Sequence, residues 1–193
     1  LKLEGDLGSV NFTNNGLIGS TETSISYGIY NGSGSKIGNI INTGSIIGTN
    51  TGSSEGHGIS NNNGTMGDIT NTGLIIGTST GSGKGYGIYN TGTMGDIINT
   101  GSIIGAGTGS GYSYGIYNGN DSKIGNIINI GLIIGTGNND YQGSGIYNSP
   151  SSSKIGAISN AGLIAGVGAG SNGIFLQEST FIASIYNTGL IIG

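Results

Sequence analysis

Asn42-Thr43-Gly44-Ser45-Ile46-Ile47-Gly48 is a phrase that this chain repeats about every 29 residues. It returns as Asn71-Thr72-Gly73-Leu74-Ile75-Ile76-Gly77 and as Asn99-Thr100-Gly101-Ser102-Ile103-Ile104-Gly105. Three more copies follow, from Asn129 to Gly135, from Asn160 to Gly166 with Ala165 for the second Ile, and from Asn187 to Gly193. A shortened copy, Asn14-Asn15-Gly16-Leu17-Ile18-Gly19, comes near the start. A fixed period of this length running end to end is the signature of a solenoid.

Working outward from the phrase, Gly28, Gly58, Gly87, Gly115, Gly145 and Gly173 mark successive coils 28 to 30 residues apart. Residues 1–26 read as an irregular first coil, and 27–193 as the repetitive part of the same domain, with the last coil incomplete. Each coil carries three short apolar stretches, exemplified by Gly28 to Asn31, Ile37 to Asn42 and the phrase itself. Runs of four to six residues rich in Ile and Tyr, bounded by Gly, Asn, Ser and Thr, favour strands. They are too short and too rich in Gly for helices. The expected fold is all-β: a parallel β-helix of three short strands per coil and nearly seven coils, about 30 Å long at about 4.8 Å per coil.

The two-residue period of a strand assigns directions. Three columns should point inward and stack on themselves. They are Ile29, Ile59, Ile88, Ile116, Ile146 and Ile174; Ile40, Ile69, Ile97, Ile127, Ile158 and Ile185; and Ile46, Ile75, Ile103, Ile133, Ile164 and Ile191. Two Asn columns end the first and second strands: Asn31, Asn61, Asn90, Asn118 and Asn148, then Asn42, Asn71, Asn99, Asn129, Asn160 and Asn187. Asn tolerates left-handed backbone angles, bonds nearby backbone at turns, and stacks into amide ladders. Gly44 and its equivalents are expected to permit the close turn that follows. The same parity sends Ile47, Ile76, Ile104, Ile134 and Ile192 outward, together with Leu74, Leu132, Leu163 and Leu190. So regular an exposed apolar stripe points to lateral packing against another surface; a parity change at a corner would instead turn some of these side chains inward.

Composition narrows the function classes. Gly makes up 44 of 193 residues, charged residues 7%, and Cys is absent. Such a composition tends to disorder, but Ile in register and a mean hydropathy near zero argue for order through stacking. The net charge of −4 offers no basic stripe for nucleic acid. No run of about 18 apolar residues is present to span a membrane. Leu1 opens no basic-then-apolar signal segment and no initiator Met is present, so the chain reads as a piece of something longer or a processed product.

Few residues offer chemistry. Asp68 and Asp96 share a column one coil apart, between Asn39 and Asn126, and are the candidates for a shared Ca²⁺ or an acid pair. A solvated, mutually repelling pair is the simpler reading. His57 takes the place held by Tyr27, Tyr86 and Tyr114. Ser60 lies near it, but one surface ring in an aromatic column is the expectation rather than a triad. Lys36, Lys123 and Lys154 share a column that reads as solubilising, with an anionic-ligand site as the alternative. Gly-rich strings such as Gly81 to Gly85 lack the strand-to-helix context of a phosphate loop. Tyr30, Tyr89, Tyr117 and Tyr147, interrupted by Ser60 and ended by Phe175, should face outward, either shielding strands or stacking on sugars. The variable corner segments, 49–56, 78–85, 106–113, 136–143, 149–153 and 167–171, are free either to face a ligand or simply to vary. No cofactor is expected.

The phrases Ile40-x-Asn42-x-Gly44-x-Ile46-x-Gly48 and Gly58-Ile59 resemble the repeats of bacterial autotransporter passenger domains and related filamentous haemagglutinin-like adhesins. The resemblance spans residues 10–193. It implies a right-handed β-helix, secreted through the outer membrane and displayed at the bacterial cell surface as a stalk or adhesin. The chain differs in carrying no recognisable translocator barrel or appended enzyme domain, and in the apolar second Ile of Ile46-Ile47. The expected function is a non-enzymatic structural or adhesive cell-surface solenoid. Its partners would be other copies, flanking coils, or ligands on host or neighbouring cells. The alternative is a self-assembling subunit of an extracellular filament, sheath or surface layer. A lyase or hydrolase on a β-helix is disfavoured by the scarcity of charge, and ice binding by Ala106-Gly107-Thr108 and Val167-Gly168-Ala169, which break a Thr-x-Thr repeat.

Overall fold

A computed structural model describes residues 1–8, 10–138, 142–150 and 152–193. Asp140 and parts of the corner segments at 136–143 and 149–153 lie outside the described residues. Among those described, the chain is all-β, and its strands form three parallel sheets. The first and third sheets hold seven strands each, so the solenoid has seven rungs and six steps between them. The fourth rung is representative: Gly85–Asn90 in the first sheet, Thr93–Met94 and Ile97–Asn99 in the second, and Ser102–Gly107 in the third. Residues 1–26 are not set apart, since Phe12 pairs with Ile40 and Leu17 with Ser45 in register with the later rungs.

The three Ile columns stand where alternation places them, inside. Ile29, Ile40 and Ile46 and their successors through the sixth rung are fully buried. The seventh rung differs: Ile174 and Ile191 are only half-buried and Ile185 is 47% exposed, because one side of that rung is uncovered. A fourth inward column, Ile37, Met66, Met94, Ile124 and Ile155, completes the core. It arises because the second wall is two strands in most rungs, broken at Gly38-Asn39 and its equivalents. The break shifts the alternation, so Ile37 and Ile40, three residues apart, both point inward. Each buried side chain contributes about 1.5–3 kcal/mol, and four columns per rung make the thin core sufficient.

The glycines of the repeated phrase act through space rather than backbone angle. Gly44 has no positive φ; a Cβ there would lie 2.0 Å from the Gly16 carbonyl oxygen of the preceding rung. Gly48 sits at the corner between the third and first sheets, where its Cβ would lie 1.9 Å from the His57 carbonyl oxygen. Two walls meet there backbone to backbone, which no side chain permits.

Both Asn columns are continuous ladders. Asn31 Nδ2 donates to Asn61 Oδ1 at 2.7 Å, and the sense repeats through Asn90 and Asn118 to Asn148. The second ladder runs from Asn14 through Asn42, Asn71, Asn99, Asn129 and Asn160 to Asn187 at 2.7–2.8 Å. The same amide nitrogens also cap corner carbonyls, as Asn42 does with Gly44 at 3.2 Å and Leu74 at 3.1 Å. No ladder Asn adopts positive φ; among the described residues, the non-glycine ones that do are Asn63, Asn120, Asp121, Ser152 and Ser179. The expected left-handed role is therefore replaced by hydrogen bonding in a site sealed from water, where an unmet amide is expensive.

Candidate functional site

The side chains that face outward form three surfaces, one per sheet. On the first sheet, alternation breaks at Gly28, whose Cβ would strike Ile46 Cγ2 at 2.6 Å. Tyr27 and Tyr30 consequently share the outer side, with ring centroids 4.6 Å apart. The result is a band two rings wide. One file is Tyr27, His57, Tyr86 and Tyr114, and the other is Tyr30, Tyr89, Tyr117, Tyr147 and Phe175. Tyr89, Tyr117, Tyr147 and Phe175 stack with centroids 5.1–5.7 Å apart and planes within 16° of parallel. Their faces are turned along the rod and occupied by one another. Outside they present mostly ring edges and hydroxyls, which favours the shielding reading over sugar stacking, since stacking needs a free face. The hydroxyls are engaged sideways: Tyr117 donates to Ser149 Oγ at 3.1 Å and Tyr147 to Gln177 Oε1 at 2.6 Å.

His57 is not a surface ring. It is 2% exposed, sandwiched between Tyr27 and Tyr86 at 5.1 and 4.9 Å with Tyr89 edge-on. Its Nε2 lies 3.3 Å from Glu55 Oε2, and Tyr86 donates its hydroxyl proton to Glu55 Oε1 at 3.3 Å. Nδ1 has no hydrogen-bond partner among the described residues. A nucleophilic hydroxyl would have to bond that atom, so Ser60 is not coupled to the ring and no triad forms. Burial holds the His57 imidazole below its ordinary pKa, against the opposing pull of Glu55. Burial alone would lift Glu55, but hydrogen bonds from His57 and Tyr86 and the nearby Lys84 charge outweigh it and hold the carboxyl low. Burial also raises the phenols of Tyr27, Tyr86, Tyr114 and Tyr147, and that of Tyr89 to about 12.

A pH dependence follows. The unfolded chain binds a proton at His57 more readily than the folded one, so stability falls as pH drops through the ordinary imidazole value of 6.5. The slope limit is about 1.4 kcal/mol per pH unit for one proton. Thermal midpoints at pH 7.5 and 5.5 should show the wild type losing stability on acidification. His57→Tyr, which restores the column, should lose much less. Glu55 titrates below this window; an equal loss in both proteins would assign the effect elsewhere.

On the second sheet, the outward column of Asn39, Asp68, Asp96 and Asn126 has a structural task. Asn39 Oδ1 accepts the Asp68 N–H at 2.8 Å, Asp68 Oδ1 the Asp96 N–H at 2.8 Å, and Asp96 Oδ1 the Asn126 N–H at 2.6 Å. Each side chain thus caps the backbone where the wall breaks in the next rung. The pair is not merely solvated and repelling, because one oxygen of each carboxylate is committed to the backbone. Among the described residues, no group of three or more His, Cys, Asp or Glu is placed to hold a metal. The sequence held the signal for this role, an Asn or Asp at this position from Asn39 to Asn126, ending at Ala157 where the second wall becomes one continuous strand. Lys123 and Lys154 are register partners, while Lys36 pairs with Asp6 at 3.2 Å at the other end of the column.

The third sheet carries the aliphatic face. Ile47, Ile76, Ile104 and Ile134 are half-buried by their column neighbours and point outward, as do Leu74 and Leu163. Leu132 is 39% exposed, and Ile192 and Leu190 more so. Ala165 is buried. A shallow hollow lined by Leu17, Gly19, Ser20, Thr21 and Ile47 opens where Gly19 takes the place of an Ile.

Comparison with protein-family models, with curated proteins and with solved structures finds no match. No helix among the described residues is long and apolar enough to cross a membrane, which leaves strands out of account.

Proposed function

We propose that this chain is a non-enzymatic structural and adhesive rod of the bacterial cell surface, part of an autotransporter-like adhesin stalk. The observation that supports it most is the pair of buried Asn ladders, running in one sense through nearly every rung beside four aliphatic columns. Side chains inside the rod are committed to holding adjacent rungs in register. Stability of such a stack is a sum of rung and nearest-neighbour terms, which suits a spacer of extensible length. The outward faces are then the working surfaces. The repeat resemblance adds secretion and display to this reading.

The test is placement on the producing cells. Antibodies raised against the purified chain should label intact cells, and mild external protease should remove the label. Added purified chain should compete with those cells for adhesion to the surfaces they colonise. Labelling that requires lysis of the cells would overturn the proposal.

A further inference from the structure

The outermost columns of the third sheet combine aliphatic character with a regular relief. In rung order one column reads Leu17, Ser45, Leu74, Ser102, Leu132 and Leu163, set by the strand register. Ridges of Leu alternate with notches of Ser through the first five rungs. The adjacent outward column is Ile from the second rung to the fifth. Among the described residues, the one charged side chain on this sheet is Glu22, exposed at the end of the first strand in the column of Asn50 and outside both outward columns.

We propose that this face is covered by a second copy of the chain, packed face to face with the two rods antiparallel. The two-fold axis runs along the strand direction, between the third and fourth rungs. That operation lays each column on itself in reversed rung order. Leu74 of each copy then meets the partner's Ser102 notch, and Leu132 meets the notch at Ser45. One axis satisfies all four positions twice over. In the Ile column the same axis sets Ile76 on Ile104 and Ile47 on Ile134. At the rim Leu17 meets Leu163, where the hollow at Gly19 and the small Ala165 give room. A two-fold along the rod would instead oppose the Leu–Ser column to the column of Thr49 and Thr78, which has no matching relief.

The area is sufficient. Six rungs at about 4.8 Å and strands of six residues at about 3.3 Å give a face of about 570 Å² per copy. A pair therefore buries about 1,100 Å², above the roughly 1,000 Å² that a specific interface needs. Aligned strands on facing sheets about 10 Å apart are the ordinary geometry of a β-sandwich. The pairing is independent of the adhesive reading, since a rod that binds no other cell still pairs.

Sedimentation equilibrium on the purified chain, with circular dichroism to confirm the fold, tests the arrangement through three outward-facing variants. The wild type should be a dimer in the micromolar range. Ser102→Leu fills a notch and should weaken the dimer about tenfold or more, as one misfitted contact of this size does. Leu74→Ser should weaken it as well. The double variant Leu74→Ser/Ser102→Leu moves ridge and notch together, and the two-fold then matches them again, so it should recover wild-type association. Tighter association by Ser102→Leu would mean unspecific stickiness and would sink the proposal, as would a double variant that fails to recover. A wild type that stays monomeric overturns it too; if that monomer co-sediments with phosphatidylcholine vesicles, the face belongs to lipid.

Discussion

Gly105→Ala is expected to destabilise the rod by about 3 kcal/mol or more, at the upper end of overpacking effects. The added Cβ would lie 1.9 Å from the Tyr114 carbonyl oxygen, 2.5 Å from its carbon and 2.6 Å from the Gly85 carbonyl oxygen. All three are backbone atoms of hydrogen-bonded walls, so no side chain can rotate away to relieve the contact. Gly16→Ala is the control. Nothing lies within 4 Å of a Cβ there, and its φ is not positive. Its effect should stay within about 0.5 kcal/mol, or favour the folded state by restricting the unfolded chain. Chemical denaturation of the two variants side by side measures the difference. Equal effects would refute the corner geometry.

Asn99→Leu should be comparably damaging, by about 3–5 kcal/mol, because several buried hydrogen bonds go at once. Asn99 Nδ2 donates to Asn129 Oδ1 at 2.8 Å, Leu132 O at 3.0 Å and Gly101 O at 3.3 Å, and its Oδ1 accepts from Asn71 at 2.8 Å. Leu is of similar size but meets none of these needs. Asn99→Asp is the sharper probe. A carboxylate keeps the acceptor for Asn71 but turns a second acceptor towards three oxygens, so burial raises its pKa. A raised folded-state pKa means the variant is most stable below about pH 4 and loses stability as pH rises through the folded value. Asn99→Asp should therefore be worse at pH 7 than at pH 4 relative to wild type, and Asn99→Leu should show no such difference. Hydrogen exchange should locate the loss of protection in the third to fifth rungs, because coupling in a solenoid is between neighbours. Loss spread evenly over all seven rungs would contradict that locality.

The fold was legible because its period is carried by side chains that do one thing in every copy. Ile46, Ile75 and Ile103 are inside because alternation along a short strand leaves no other side for them. Asn42, Asn71 and Asn99 recur because each is both donor and acceptor to its own kind. What failed to read through was whatever depended on a corner. The fourth core column, Ile37 to Ile155, was hidden by the break at Gly38-Asn39. His57 and Tyr86 proved buried because the break at Gly28 brings their file to the same side as Tyr30, where the rings cover each other. The Asp68 and Asp96 carboxylates looked chemical only while the missing ladder bonds beneath them were out of sight.

Sequence alone was enough to establish the rung, its length, the three Ile columns and the two Asn columns. All of these follow from periodicity, 29 residues between rungs and two within a strand, and periodicity is a property of the chain. The folded structure settled how closely the walls approach at Gly48, which way the aromatic files turn, which backbone groups Asp68 and Asp96 cap, and that no parity change turns Ile47 and its successors inward on the third sheet. Those depend on distances between residues that are neighbours only after the corners have been turned, and a corner shifts the alternation by an amount that local pattern does not encode.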